Sequence, residues 1–233
     1  MVRRQEICGL LVGSTFSKSC FLLIIILPVV TAASFVMYHD SVRHISVCRS
    51  SLSSSSLPEG IAPCHNFGPA SKRDQILFTA ERPGNAVSDN KVPSEIVTEW
   101  ISFMKDKGIT QILVLLDSNE MDVYPDPGLV GMYQAFGMEP HVIPMKSDGS
   151  YTRIMEILKN VEKNKQKAVT HCTGGVGRAG RVAAAWLTTR YELTVHEATQ
   201  EAMEMAMLCG IKRLGDAQKL ETWMENHKSS TVL

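Results

Sequence analysis

The 233-residue chain has no CxxC pair, no net charge and no internal repeat. Without paired cysteines at metal-ligand spacing, a structural zinc site is not expected. Of the six cysteines only Cys172 and Cys209 fall within residues 72–233, too few for a disulfide framework. That part of the chain therefore needs no oxidising compartment. The balance of 24 basic and 24 acidic side chains gives no global reason for a polyanion partner, so nucleic acid is not expected. The lack of a 20–50-residue period excludes a solenoid. With 44% hydrophobic and 21% charged residues, collagen-like, mucin-like and wholly disordered chains are excluded too.

The neutral balance hides an asymmetry. Residues 1–58 carry five basic side chains and two acidic ones, leaving 19 basic and 22 acidic for the rest. Arg3, Arg4 and Lys18 precede an uncharged run at 21–33 that ends in Ala32, Ala33 and Ser34. Basic start, apolar core and small-residue end are the order of a secretory signal. Extended over residues 20–38, the same stretch reaches 19 residues, long enough for a membrane anchor. Pro28, Thr31 and Ser34 speak against the anchor. Residues 35–58 are basic, acid-poor and serine-rich, as in a transit peptide. Signal plus transit peptide resembles the bipartite presequences of secondary plastids. The expected organisation is a signal peptide or anchor at 1–34, a transit-peptide-like or disordered segment at 35–70, and one folded domain at 71–233. Plastid localisation follows from that reading, with the secretory pathway or a membrane as alternatives.

Beyond residue 71 the pattern becomes regular. Apolar runs at 76–79, 112–116, 141–145 and 168–171 suit strands, and the continuous apolarity of 112–116 suits a buried one. Helical periodicity marks 94–107, 151–165 and 178–191, with a short helix at 130–136 and two more at 195–208 and 216–226. Alternating strands and helices predict a single α/β domain, its central, mostly parallel sheet flanked by helices on both faces.

The chemistry concentrates at 168–181, AVTHCTGGVGRAGR, where a strand runs through glycines into a buried helix. Gly175, Gly177 and Gly180 match a dinucleotide fingerprint, yet only 53 residues follow, and beyond Glu197 they read as helix. A purely structural turn explains the glycines but not Arg178, because a guanidinium at the start of a buried helix needs an anion. The third reading is Cys172-x5-Arg178 preceded by His171. Amides of a glycine-permitted loop (Thr173, Gly174, Gly175, Val176, Gly177) and a helix N-terminus hold an anion. The same field favours a thiolate at Cys172. Arg178 supplies a bidentate fork for two phosphoryl oxygens. No other cysteine of the chain has arginine six positions on.

HCTGGVGRAG at 171–180 resembles the HCxxGxxR signature of the protein tyrosine phosphatase superfamily, and the size suits its compact dual-specificity branch. Arg181 to Leu187, Arg82-Pro83-Gly84 and residues 100–104 are most similar to members from cyanobacteria and plastid-bearing lineages. The resemblance implies a cysteine-dependent phosphatase acting on phosphorylated protein, without metal or cofactor. Cys172 would form a phosphocysteine, Arg178 and the loop amides would hold the phosphoryl oxygens, and His171 would position the cysteine. A carboxylic acid would protonate the leaving oxygen and then activate water. Asp148 matches the family's acid position, with Asp117 and Asp126 in reserve. Ala179 departs from the usual Ser or Thr, so slow breakdown of the phosphocysteine is expected. Thr173 and Val176 replace the lysines of phosphoinositide-directed members. Phosphoglucan hydrolysis, phosphate binding with little turnover, and redox control of Cys172 through Cys64 or Cys209 remain alternatives. Membrane attachment follows only if the leader is retained.

Overall fold

The computed structural model describes residues 64–85 and 91–227. The expected signal or anchor and most of the transit-like segment lie outside the described residues. Among those described, no helix is long and apolar enough to cross a membrane.

Among the described residues five strands form one sheet: β1 (Gly68–Pro69), β2 (Leu77–Glu81), β3 (Gln111–Val114), β4 (Glu139–Val142) and β5 (Ala168–Cys172). Their spatial order is β1-β2-β5-β3-β4, with only the β1–β2 pair antiparallel. Every residue of β3 and β5 is buried, as a parallel sheet covered on both faces requires. Among the described residues seven helices flank it: α1 (Ser94–Asp106), α2 (Ser118–Met121), α3 (Gly128–Ala135), α4 (Ser150–Lys163), α5 (Arg178–Tyr191), α6 (Val195–Leu208) and α7 (Ala217–Asn226).

The alternation of β3 assigns the two cores. Ile112 and Val114 join Val97, Trp100, Ile101 and Met104 of α1 and Tyr133 of α3. Leu113 and the following Leu115 face the opposite cluster, with Ile154 and Leu158 of α4 and Val182 and Trp186 of α5. Cys172 belongs to this second cluster. The expected sheet, with helices on both faces, is the observed one.

The differences from the sequence pattern have local causes. The fold begins before residue 71: a 3-10 turn at Cys64–Asn66 leads into β1, which pairs with β2. Arg213 secures this edge. Its guanidinium, buried, donates to the carbonyls of Pro69 (3.0 Å), Ala70 (3.2 Å) and Ala202 (2.8 Å) and to Thr79 Oγ1 (2.7 Å). Burial among neutral acceptors pushes its pKa down to about 10. β4 starts at Glu139, two residues ahead of the apolar run, because its register follows β3, with Gln111 opposite Glu139. Pro140 is tolerated there since β4 is an edge strand. α2, at four residues, is too short to leave a periodic trace.

Candidate active site

β5, the central strand, ends at Cys172, and α5 begins at Arg178. The residues between them therefore lie at the carboxyl ends of the parallel strands, where open α/β sheets bind ligands. Gly175 turns the loop with φ +67°, and a Cβ there would sit 2.5 Å from the carbonyl carbon of Ala80 and 2.6 Å from the amide of Glu81. Only glycine fits so close to the end of β2.

The loop's carbonyls are turned outward and tied. Those of Cys172 and Thr173 accept from the Arg82 amide (2.9 and 3.2 Å), and that of Val176 accepts from the Leu214 amide (3.3 Å). The Gly174 carbonyl accepts from Asn66 Nδ2 (3.2 Å). Asn66 is itself clamped to the backbone of Lys212, donating to its oxygen (2.9 Å) and accepting from its nitrogen (2.7 Å). With the carbonyls held outside, the amides are left to the inside. Among the described residues nothing accepts from the N–H of Gly174, Gly175, Val176 or Gly177. Unsatisfied amides at the start of a helix make an anion cradle.

Cys172 stands at the mouth of this cradle, 3% exposed, with its thiol free. His171 points to the other face of the sheet. Its Nε2 lies 3.1 Å from Tyr133 Oη, and its ring meets Trp100 edge-on. Burial, with the nearby charges of Arg178 and Arg82, drives its pKa down to about 3. The neutral ring thus anchors the end of β5 from behind. Ala179 is wholly buried and offers no hydroxyl to the sulfur.

Arg178 is held by a residue that the sequence reading missed. Its Nη1 donates to Glu120 Oε2 (2.6 Å) and its Nη2 to Glu120 Oε1 (2.6 Å). Nη1 also reaches the Leu115 carbonyl (2.9 Å), and Nη2 reaches Thr173 Oγ1 (2.8 Å). The Thr173 hydroxyl donates in turn to Glu120. Pairing with Arg178 holds the Glu120 carboxyl down at about 2, and the same hydrogen bonds raise the guanidinium above its ordinary value. Glu120 sits on α2 and accepts from the Asp117 amide (2.9 Å). A signal for it existed: Asp117-Ser118-Asn119-Glu120, directly after an apolar strand, fits the capping-box pattern.

The acid candidates separate in space. Asp148 lies exposed on the β4–α4 loop, just before Gly149, and Asp126 is exposed ahead of α3. Asp117 lines a cavity of about 390 Å³ that Arg178, Met145 and Lys146 also border. The β4–α4 loop thus reaches the Arg178 cavity through Met145 and Lys146, while Asp148 itself stays outside its lining. Of the two cysteines considered for redox control, Cys64 is engaged in a disulfide, and Cys209 caps α6 beside Gly68 of the edge strand β1. Gly180, the last glycine of the apparent dinucleotide fingerprint, has a packing reason: a Cβ there would lie 2.8 Å from Arg213 Cγ. Among the described residues no cluster of His, Cys, Asp and Glu could hold a metal ion.

The sequence profile of the cyclin-dependent kinase inhibitor 3 (CDKN3) family matches residues 72–198, more than half of the chain. The chain belongs to this family. The match contains the whole loop, Glu120 and both the β3 and β4 strand ends. The rat cyclin-dependent kinase inhibitor 3 is 36% identical over 118 residues, covering 48% of this chain and 54% of that protein. The human protein of the same name is 37% identical over the same length, with the same coverage. The chain thus spans about half the length of these curated relatives. A crystal structure of kinase associated phosphatase, its catalytic-site cysteine replaced by serine, matches with a TM-score of 0.50 and 26% identity. It covers 64% of this chain and 85% of that one. PTPMT1 in complex with PI(5)P shares the fold, with a TM-score of 0.50 and 12% identity over 70% of this chain and 94% of that one.

Proposed function

We propose that this chain is a cysteine-dependent phosphatase that hydrolyses phosphomonoesters on protein tyrosine, serine and threonine. The observation that carries the proposal is the loop at 172–178. A free cysteine and an arginine flank a set of unsatisfied amides, and the carbonyls of Cys172, Thr173, Gly174 and Val176 are tied to groups outside the loop. That arrangement fits a phosphoryl group, with the sulfur beneath phosphorus and Arg178 beside its oxygens. In the first step the Cys172 sulfur bonds to phosphorus as the P–O bond to the substrate breaks, and an acid gives the leaving oxygen its proton. In the second, water attacks phosphorus, the S–P bond breaks, and the carboxylate made in the first step takes the water's proton. Charge on the equatorial oxygens is met throughout by the amides and Arg178.

Asp148 is our assignment for the acid. Its loop already contributes to the Arg178 cavity, and its exposure means that it acts by folding inward when substrate is bound. The names of the relatives speak of kinases, and a phosphorylated kinase is the class of protein to try first. We assign the N-terminal segment ahead of the 3-10 turn at Cys64–Asn66 to targeting, to a plastid through a signal followed by a transit peptide. Composition supports this, and the start of the mature protein follows from sequencing its N-terminus in cells.

The test is phosphate release by the full chain from para-nitrophenyl phosphate and from phosphopeptides, with vanadate as inhibitor. Activity that vanadate blocks and Cys172→Ser abolishes is the expected result. Asp148→Asn should flatten one limb of the pH–rate profile, and the same loss in Asp117→Asn instead would move the acid to α2. A folded wild-type chain that binds phosphate without releasing it from esters would overturn the phosphatase reading.

A further inference from the structure

The cavity beside Arg178 holds more cationic groups than one phosphoryl group requires. Arg181 is three residues beyond Arg178, hence on the same side of α5 and about 4.5 Å further along its axis. It lines the same cavity, partly buried. Its guanidinium makes no hydrogen bond or ion pair among the described residues. Burial lowers its pKa, with only the charge of Asp216 opposing. Asp216 is itself committed to Lys219, accepting from its amide (3.0 Å) and pairing with its ammonium (3.0 Å). Lys146, exposed on the β4–α4 loop, lines the cavity as well and also has no partner among the described residues. The anionic group in the lining is Asp117. Arg178 is answered by Glu120, and Lys219 by Asp216. Arg181 and Lys146 are therefore cations that the fold leaves uncommitted, and desolvating a guanidinium without a partner is unfavourable unless an anion completes it.

We propose that this cavity is a second anion subsite, which takes a phosphate or carboxylate carried by the substrate next to the phosphoryl group being removed. The proposal rests on the phosphatase reading of the Cys172 loop and adds to it a substrate class: phosphopeptides with a second negative side chain close to the first. Along an extended peptide, side chains two residues apart on the same face are separated by about 7 Å. A neighbour at that spacing reaches from the loop into a cavity that begins at Arg178. Arg181 offers the second group a planar fork and Lys146 a mobile point charge. Because Lys146 belongs to the loop that carries Asp148, filling the subsite also draws that loop toward the phosphoryl group.

The experiment uses the full chain and three phosphotyrosine peptides that differ at one position two residues away, bearing alanine, glutamate or phosphoserine. Binding is measured by calorimetry in Cys172→Ser, and kcat/KM is measured in the parent, each with and without Arg181→Ala. The expected result is binding about tenfold tighter for the dianionic peptides than for the alanine peptide, the factor for one charged hydrogen bond. Arg181→Ala should erase that factor, Arg181→Lys should restore part of it, and turnover of para-nitrophenyl phosphate should stay within about twofold throughout. A larger gain for phosphoserine than for glutamate identifies the second group as phosphate, and equal gains identify a general acidic subsite. Equal binding of all three peptides, or a preference that survives Arg181→Ala, would overturn the proposal. Because the binding arm needs no turnover, a chain that fails to release phosphate would sink the phosphatase reading while still reporting on the subsite.

Discussion

Arg213 is buried and Arg178 partly so, and the two are held in opposite ways. Arg213 has four neutral acceptors, three of them backbone carbonyls, drawn from β1, β2, α6 and the residue after β1. Arg178 has one carboxylate in a bidentate pair, one hydroxyl and one carbonyl, and it borders a cavity. The charge of Arg213 is tolerated for the sake of the carbonyls that it joins, and its pKa falls. The charge of Arg178 is balanced, and its pKa rises. A cation that serves as scaffold is spread over fixed dipoles. The cation that borders the proposed phosphate site is paired with a carboxylate that fixes its orientation, and both arginines stay ionised near neutrality.

Substituting each arginine by methionine is the strongest way to break this comparison. Arg178→Met should lower kcat/KM by about a thousandfold or more while shifting stability by only about 1 kcal/mol. Arg213→Met should do the reverse. It leaves four acceptors unmet, costs about 3 kcal/mol, and retains activity per folded molecule. Steady-state kinetics and urea unfolding on both variants would settle the contrast, and equal effects on both axes would end it.

The same burial argument applies to an imidazole. His171 is neutral in the fold down to about pH 3, whereas in the unfolded chain it takes a proton near pH 6.5. The unfolded state therefore binds more protons between those values. The His171 contribution to stability is complete above about pH 6.5 and declines as pH falls toward 3, by at most about 1.4 kcal/mol per unit. Unfolding midpoints at pH 7, 5.5 and 4.5 should fall in parent protein, and the fall should be shallower in His171→Gln.

Glu120→Gln probes the neighbour instead of the cation. Keeping the shape but removing the charge should lower kcat/KM about tenfold by loosening the guanidinium. A gain in activity would mean that the carboxylate competes with phosphate. Because the Glu120 carboxyl is held at about 2, its half of the pair is present at all pH values above its ordinary range. That half is lost only as pH falls from about 4.5 toward 2, so it should not shape the pH–rate profile near neutrality.

The smallest effect belongs to Ala179→Ser, which introduces a hydroxyl directly after Arg178. Turnover should rise a few-fold, and a pre-steady-state burst of leaving group in the parent should shrink. Equal burst and steady-state rates in the parent would show that phosphocysteine breakdown was never slow.

The sequence made the loop legible because its chemistry is contiguous. Cysteine, glycines and arginine occupy seven successive positions, and the strand before them and helix after them are strongly apolar. The bounds of α5 and α6 follow from the same kind of local signal. Glu120 is the opposite case. It stands 58 residues from Arg178 in a helix of one turn, and only the strand order β5-β3 brings the two together. Asp117 and Asp148 also follow neighbouring parallel strands, so sequence position alone could not rank them. β1 escaped notice because Gly68 and Pro69 have no strand propensity, and the strand exists through its partner β2 and the bonds from Arg213.

Asn66 carries a practical consequence. The sequence pattern invites an expression fragment beginning at Ser71, where regular periodicity starts. Such a fragment would discard β1, two of the four acceptors of Arg213, and the amide that holds the Gly174 carbonyl outward. It would also release Lys212 from the loop. Any trimming of the N-terminal segment that spares the loop, by a protease in the cell or a primer in the laboratory, has to stop short of Asn66. An inactive fragment that starts later would report on a missing brace, with every residue of the loop itself intact.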